Sequence, residues 1–460
     1  MRLIAFLRDS YREAVSGWML QVMLLFAGVV VLFLAGISLR PMALDDQLRL
    51  MLKGLSQTLR FQPGYADMGS PEFTARNVKA SNPAEPWKSD YAFEVVVGTA
   101  SPEARAKFKE GVRAAGTPAS RAGVKTLIQA TFPNLENVEV ASVPAEEVAP
   151  SEVVYAVTSR GTSSKDVTEW RHEPSLFFFY DVPFLMMSPR EYIYLIEKWL
   201  INGAGAWLLL AVSVVVTAGF VPNMLGKGTI DLLVSKPVSK PFVLLAKYLG
   251  GLTFVALITT IAVLGVWAVL GLRTGIWSPN FLLTVPILTF YFAVLYAVST
   301  LAAVLTRNSL VAILATLLAW SVFWAVGKVN DGVQNRYDAE AKQAQRADGA
   351  EADDDDEPEN PFAPKKPKAG IDPDAPLWLV LPKWAFPVVR VVHLVTPRTY
   401  QIDASLARTI AAGVLSEREM KQQGYGKPPR ESWPEMIGVS LAFVALCLSL
   451  ACARMVTRDG

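Results

Sequence analysis

Six stretches of this chain carry no charged side chain over a length that can cross a lipid bilayer. They cover residues 17–39, 200–221, 248–272, 280–306, 308–327 and 436–453. A spanning helix needs about 20 consecutive apolar residues, because the hydrocarbon core offers the backbone no hydrogen-bond partner. Of the 460 residues, 52% are hydrophobic and 19% are charged. We therefore predict a mainly α-helical membrane protein with six transmembrane helices and large parts outside the bilayer.

Basic residues indicate which ends of these helices face the cytoplasm. They occur in an amphipathic leader at 1–16, in the segment 222–247, at Arg307, and in the tail of the last segment, 436–460. Alternating helices place these parts on one side, and positive charge is typical of the cytoplasmic side. No small-residue cleavage site follows the leader, so we expect it to be retained. We therefore predict a multi-pass protein of the cell inner membrane. Both of its termini are predicted to lie in the cytoplasm.

The first outer segment, residues 40–194, is long enough to bury a core of its own. Leucines at helical spacing predict a helix over 44–59. Pattern predicts strands at 91–98, 138–143, 153–158 and 176–180, and helices at 102–115 and 121–131. Ser188 and Glu191 form a capping-box pattern around Pro189, so we expect one helix from Pro189 through the second span, 195–221. This segment is therefore predicted to be an extracytoplasmic α+β domain.

The second outer segment differs in composition. Residues 328–376 are rich in charge and contain few apolar residues after position 330, so we predict a disordered acidic outer loop. Residues 377–435 are predicted to hold an interfacial stretch, with Trp378 and Trp384 at headgroup level, and an amphipathic helix over 399–419. The alternative is that 377–396 enters the membrane as a seventh span, which would reverse the last helix.

Several kinds of transporter and enzyme lack support in the sequence. No phosphate-binding loop of the form G-x-x-x-x-G-K-[ST] occurs, so we expect no ATP site in this chain. The six apolar runs contain no Asp, Glu, Lys, Arg or His, which disfavours an ion-coupled secondary transporter. The two histidines, His172 and His393, have no companion at metal-ligand spacing. We therefore predict no catalytic residue, cofactor site or metal site, and the absence of a basic stripe argues against nucleic acid.

The segment 222–247 carries the most specific pattern in the chain. Ile230, Leu233 and Val234 share one face of a short predicted helix over 229–235, whose other face is polar. Pro237 ends this helix, because a residue before proline is disfavoured in the helical region. We expect Ser239 to cap a new helix, with Pro241 in its first turn, that continues into the third span. A surface helix thus precedes a membrane helix.

From Gly228 this segment reads Gly-Thr-Ile-Asp-Leu-Leu-Val-Ser-Lys-Pro-Val-Ser-Lys, and Lys-Tyr-Leu-Gly begins at Lys247. It resembles the cytoplasmic segment of the permease subunits of ABC transporters of the type-2 exporter class, and is closest to the branch linked to multi-copper-enzyme maturation. The resemblance is direct only in this segment. The six-span layout extends it loosely over the membrane half.

The resemblance implies a permease that dimerises, as a homodimer or heterodimer, and binds a separately encoded ABC ATPase subunit. ATP and Mg would then belong to that partner. The implied ATPase-coupling residues are Lys227, Gly228, Thr229, Ile230, Asp231, Leu232, Leu233, Lys236, Pro237 and Lys240. The three lysines are also consistent with simple binding to membrane lipid.

Two functions follow as hypotheses. The first is ATP-driven export by a non-catalytic, multi-pass permease subunit. The alternative is a mechanotransmission or assembly factor, in which the partner ATPase moves the outer domain to act on an extracytoplasmic protein without transporting a substrate. An exposed apolar patch on the outer domain would favour the alternative. The outer segments are not needed for a minimal exporter, so the resemblance does not identify a substrate.

Overall fold

The structure is a computed structural model that describes residues 18–59, 71–99, 120–132, 134–143, 152–161, 170–177, 179–181, 187–224, 239–347, 384–425 and 430–457. The chain divides into two compact units. The membrane unit comprises Met1–Ala35, Ile193–Ala352 and Ile371–Gly460, and the sheet unit comprises Gly36–Tyr192 and Asp353–Gly370.

The described part of the membrane unit is helical. Its helices are α1 (Trp18–Ala35), α4 (Pro189–Asn202), α5 (Ala204–Thr217), α6 (Phe220–Met224), α7 (Lys240–Thr274), α8 (Thr284–Thr306), α9 (Ser309–Ala347), α10 (Ala385–Val395), α11 (Thr399–Val414), α12 (Glu417–Gln422) and α13 (Trp433–Thr457). A 3₁₀ turn, Pro279–Leu283, precedes α8.

Five helical stretches are long and apolar enough to cross a membrane. They are Pro189–Pro222, Lys240–Thr274, Pro279–Thr306, Ser309–Tyr337 and Trp433–Thr457. These helices indicate a multi-pass membrane protein. The first apolar run also forms a helix, α1, but its stretch Gln21–Ala35 is shorter than a span, so a sixth span remains a prediction.

Helix α8 lies at the centre of the membrane unit. It packs against α5, α7, α9 and α13, and α1 packs against α7. Aromatic residues fill its contacts: Tyr296 stacks on Tyr248 with ring centroids 5.2 Å apart, and on Phe292 at the same distance. Since stacked rings cannot shift independently in a dense core, the α7–α8 contact is closely specified.

Helix α9 differs from the sequence-based expectation. It continues to Ala347, so residues 328–347, the first part of the loop that we predicted to be disordered, are helical. The prediction relied on the low content of apolar residues and did not consider helix propensity. This stretch is rich in Ala, Glu, Lys, Gln and Arg, all strong helix formers. Residues 348–376 lie outside the described residues.

The region before the last span contains three short helices. The predicted helix over 399–419 is α11, which ends at Val414, followed by a separate helix, α12. Ser416 caps α12 in a capping box with Glu419, which explains the break. The interfacial stretch forms α10 from Ala385, and residues 377–383 lie outside the described residues.

The sheet unit combines helices with two antiparallel sheets. Its elements are β1 (Ile37–Pro41), α2 (Leu44–Leu59), β2 (Pro71–Ala80), β3 (Asp90–Thr99), α3 (Arg121–Thr131), β4 (Leu135–Ser142), β5 (Glu152–Gly161), β6 (His172–Leu176) and β7 (Tyr180–Asp181). One sheet has the order β1-β6-β7 and the other β2-β3-β5-β4. These elements add a small sheet region to the mainly helical chain; the extracytoplasmic α+β domain over 40–194 stays a prediction.

One face of the four-stranded sheet forms the core of the sheet unit. Alternate residues of β3, such as Tyr91, Phe93 and Val95, are buried with Leu48 of α2 and Ile128 of α3. The register Phe93↔Val157 continues this apolar face into β5. Period-two alternation therefore places the helices on one face and leaves charged residues on the other.

Most predicted helices and strands of the sheet unit are present in the structure. Helix α3 has the predicted bounds, and β3, β4 and β5 overlap the predicted strands. The strand predicted at 176–180 is wrong, because a turn at Phe177 (φ 50°) separates β6 from β7. The helix predicted at 102–115 lies outside the described residues.

The capping box before α4 is present. The backbone N–H of Ser188 donates to Glu191 Oε2 at 2.9 Å, and the N–H of Glu191 donates to Ser188 Oγ at 3.1 Å. The predicted continuous helix is interrupted at Gly203, where the backbone is extended before α5 begins. The division between the two units falls within α4.

Candidate coupling site

Most residues that the resemblance assigned to ATPase coupling lie outside the described residues. These are Lys227, Gly228, Thr229, Ile230, Asp231, Leu232, Leu233, Lys236 and Pro237. Lys240 is described and is the first residue of α7. The described part of the site is therefore the helix that this segment enters.

Helix α7 begins as predicted in one respect and differs in another. Pro241 lies in its first turn, where its missing N–H leaves no intrahelical bond unmade. The Ser239 side chain, however, makes no capping hydrogen bond. Its backbone carbonyl instead accepts from the N–H of Val243 at 3.2 Å, so the predicted side-chain cap is wrong.

The first turns of α7 are held by neighbouring helices. Val243 and Leu244 are buried, and they belong to one cluster with Val221 and Met224 of α6 and with Ala451 of α13. Burial on this face fixes the helix direction where the chain leaves the 225–238 segment. A displacement of that segment would act directly on a packed helix.

Two turns further along, α7 approaches α8 closely. A Cβ atom built on Gly251 would lie 2.7 Å from Cε1 of Tyr296, so only glycine fits there without movement. Tyr248 donates a hydrogen bond to the carbonyl of Ala293 at 2.8 Å. Close backbone approach and a buried hydrogen bond make α7 and α8 one packed pair within the membrane unit.

The structure also brings together charged residues that the sequence did not connect. His393 of α10 contacts Glu431 through Nε2 and Oε1 at 3.1 Å, and Arg398 Nε lies 3.3 Å from Glu431 Oε2. A guanidinium N–H of Arg398 also donates to the His393 carbonyl. Burial raises the pKa of Glu431, but the hydrogen bond from His393 and the charges of Arg398 and His393 outweigh it and leave that pKa below its ordinary value.

A second polar group links α8, α9 and α11. Trp320 Nε1 donates to the Tyr291 hydroxyl at 2.8 Å. Asp403 lies near enough to act on Tyr291 and Tyr400 electrostatically. Asp403 is partly exposed as a whole residue, yet burial of its carboxyl raises its pKa well above the ordinary value. No sequence motif marked this residue, because the contact depends on three helices packing together.

A third polar group, Glu197 with Ser278, bears on the sequence argument against ion-coupled transport. Glu197 precedes the predicted apolar run, but it lies within the helical stretch Pro189–Pro222 and its residue is only 1% exposed. The Ser278 hydroxyl donates to its Oε2 at 3.3 Å. The apolar run is free of charge as predicted, whereas the helical stretch that contains it is not.

The sheet unit presents an exposed aromatic tip at the turn between β6 and β7. Phe177, Phe179 and Tyr180 are 46%, 80% and 62% exposed, and the first two rings stack with centroids 6.4 Å apart. The backbone N–H of Phe177 donates to the carbonyl of Gly36 at 2.8 Å. We call these three residues the aromatic tip. It is the kind of surface that binds lipid or protein.

Within the described ranges, no three His, Cys, Asp or Glu side chains lie close enough to hold a metal ion. Cys447 and Cys452 are free.

Comparison with known protein families, curated proteins and solved structures finds no match to this chain. The coupling assignment therefore depends on the sequence pattern and on the packing of α7.

Proposed function

We propose that this chain is the membrane-spanning permease subunit of an ATP-driven ABC exporter, which couples to a separately encoded ATPase through residues 227–240. A permease needs a membrane domain that a soluble partner can move, and five membrane-length helices supply that domain. The pattern from Gly228 to Lys240 supplies the contact.

The observation that carries this proposal is the continuity of α7. It is a single helix of 35 residues that begins at Lys240, the last residue of the proposed coupling segment, and ends at Thr274. At 1.5 Å per residue such a helix is about 50 Å long, more than a bilayer's hydrocarbon core. A push on its first turn therefore reaches the other end of the membrane unit without crossing a loop.

Packing supports the same proposal. The Gly251–Tyr296 contact joins α7 to α8, and α8 also packs against α5, α9 and α13. Because packed helices move as bodies rather than deforming continuously, displacement of α7 would carry α8 with it. ATP binding and hydrolysis in the partner would provide the free energy, and the helices of this chain would transmit the movement.

Co-purification from the native cell tests the proposal. We would compare the tagged wild-type chain with Leu233→Asp, which places a charge on the apolar face of the predicted helix, and with Ser235→Asp, which places the same charge on its polar face. We expect a P-loop ATPase with wild type and Ser235→Asp and none with Leu233→Asp. Absence of any ATPase from the wild-type preparation, with the protein intact in the membrane, would refute the proposal.

A second candidate function is favoured by the aromatic tip. The sheet unit has its own core, and the exposed rings of Phe177, Phe179 and Tyr180 offer a surface for an extracytoplasmic protein. In that case the same ATPase partner would move the sheet unit, and nothing would be transported.

The aromatic tip can be removed without touching the membrane unit. The double variant Phe179→Ser and Tyr180→Ser should release any extracytoplasmic protein that co-purifies, whereas Leu50→Ser, at a 39% exposed position of α2, should retain it. The ATPase should still co-purify with the double variant and with Leu50→Ser. If no protein is lost from the double variant, the second candidate is excluded for this surface.

A further inference from the structure

The aromatic tip lies beside the point where the chain leaves its first apolar helix. Helix α1 ends at Ala35, and Gly36 is the first residue of the sheet unit. The backbone N–H of Phe177 donates to the carbonyl of Gly36 at 2.8 Å, and the next residue, Ile37, pairs with Leu176 of β6. The first residue of the tip is therefore held by a backbone hydrogen bond to the residue that follows α1.

The length of α1 sets the depth of this point in the predicted first span. Helix α1 has 18 residues. At about 1.5 Å per residue it is about 27 Å long, close to the ~30 Å of a bilayer's hydrocarbon core. A helix of this length that crosses the bilayer ends where the hydrocarbon meets the headgroups. Gly36, and the aromatic tip beside it, then lie at that boundary.

The three-stranded sheet is uncharged at the tip and charged at its other end. Residues 174–180 carry no charged side chain and are flanked by Glu173 and Asp181. Three residues along β1 from Ile37, Arg40 pairs with Glu173 of β6. Because a strand rises about 3.3 Å per residue, this charged pair is about 10 Å from the start of β1. The sheet thus changes from uncharged to charged over a distance close to the thickness of one headgroup layer, about 5–8 Å.

The backbone at the tip keeps the aromatic rings on the surface. Phe177 has φ 50°, a left-handed conformation that bulky residues rarely adopt. Such a conformation persists where the surrounding structure imposes it, and it is typical of functional sites. Here the hydrogen bond to Gly36 and the pairing of Leu176 with Tyr180 impose it. The rings of Phe177 and Phe179 consequently stack on each other while 46% and 80% exposed.

The position of the tip favours lipid over protein as the partner of these rings. Aromatic side chains collect at the level where a bilayer meets water, since a ring is apolar and the hydroxyl of a tyrosine is polar. Phenylalanine is likewise typical of the apolar face of segments that lie in the interface. A surface for a soluble protein does not require a position next to the end of an apolar helix, whereas a surface for lipid does.

We propose that the aromatic tip inserts into the boundary between headgroups and acyl chains and anchors the sheet unit to the bilayer. The rings of Phe177 and Phe179 enter the acyl-chain edge, and the Tyr180 hydroxyl stays among the headgroups. The proposal rests on the predicted first span and does not depend on the exporter function. A tip in lipid is not available to an extracytoplasmic protein, so lipid competes with the second candidate function for this surface.

Fluorescence quenching tests the proposal in the full-length protein in lipid nanodiscs. Cys447→Ala and Cys452→Ala remove the two native thiols. Phe179→Cys then carries a bimane fluorophore at an 80% exposed position of the tip. The matched control is Leu50→Cys, at a 39% exposed position of α2, which begins after the charged end of β1. Each protein is measured in lipids brominated on the upper part of their acyl chains, in unbrominated lipids, and with iodide in the water.

We expect the label at residue 179 to be quenched by brominated lipid and protected from iodide, and the label at residue 50 to show the reverse. Adding Phe177→Ser and Tyr180→Ser should shift the label at residue 179 toward quenching by iodide, because less apolar surface then holds the tip in lipid. This double substitution separates anchoring by the rings from mere tethering by α1.

Three results would overturn the proposal. Quenching of the label at residue 179 by iodide and not by brominated lipid would place the tip in water, where an extracytoplasmic protein can reach it. Protection from both quenchers would show that protein covers the tip. Unchanged lipid quenching after Phe177→Ser and Tyr180→Ser would show that the rings do not hold it. No ATPase takes part in this assay, so each result leaves the exporter proposal standing.

Discussion

Arg398 and Glu431 form an ion pair that is largely removed from water. Arg398 Nε lies 3.3 Å from Glu431 Oε2, and the two side chains are 3% and 16% exposed. The backbone N–H of Arg398 also donates to Ser440 Oγ at 3.0 Å, which joins the start of α11 to α13. These contacts hold three helix ends together, so the pair has a structural consequence that can be measured.

Glu431→Gln should destabilise the protein by about 2–4 kcal/mol, because it leaves the buried Arg398 guanidinium without a carboxylate. Thermal unfolding in mild detergent would measure the change. Glu435→Gln, at an exposed position of the same helix end, should alter stability by no more than about 0.5 kcal/mol. Equal effects of the two substitutions would show that the pair is not stabilising.

The Glu431 carboxyl also predicts that the stability of the folded protein falls at acid pH. The pKa of Glu431 is lower in the folded protein than its ordinary value of 4.5, so the unfolded chain binds the proton more readily. The stability that Glu431 contributes is therefore complete above about pH 4.5 and is lost as the pH falls through the lowered pKa. Unfolding measured from pH 6 to pH 3 should show this loss in wild type and a smaller loss in Glu431→Gln.

Asp403 predicts the opposite pH dependence of stability, a loss as the pH rises. Burial raises its pKa well above 3.8, so the folded protein holds a proton that the unfolded chain releases. Its contribution to stability then falls as the pH rises from about 4 toward the raised pKa, by at most about 1.4 kcal/mol per pH unit. Asp403→Asn should flatten this part of the unfolding profile, while Asp45→Asn, at a 39% exposed side chain, should not. A wild-type slope in Asp403→Asn would contradict the assignment.

Gly251→Ala should destabilise the α7–α8 pair by about 1–3 kcal/mol, because the new methyl group meets a Tyr296 ring that stacks on two neighbours. Gly438→Ala is the matched control, since nothing lies within 4 Å of a Cβ built there. That control should be neutral or stabilising, as alanine is the better helix former. Thermal unfolding of both variants distinguishes a packing effect from a propensity effect.

The membrane helices were predictable because a long uncharged run has few alternative structures. Helix α3 was also predicted with its observed bounds, since its apolar residues recur at helical spacing. Strand β2 was not predicted. A register shift between Arg76 and Lys79 breaks its alternation with β3, which removes the period-two signal on which such a prediction depends.

The buried charged groups could not be predicted from spacing. Arg398 and Glu431 belong to different helix ends and meet only when α10, α11 and α13 pack. Glu197 was missed for another reason: it lies in the predicted span 195–221 but before the uncharged run 200–221, so a search for charges within that run did not include it. The coupling segment stays a prediction from its sequence pattern, because residues 225–238 are outside the described part.

The ATPase activity of the reconstituted partner tests the central claim most directly. The rate of the purified ATPase would be measured in nanodiscs alone, with the wild-type chain, with Leu233→Asp and with Ser235→Asp. We predict that wild type and Ser235→Asp change the rate and that Leu233→Asp, although inserted in the membrane, does not. The same rate change with Leu233→Asp as with wild type would contradict coupling through this segment.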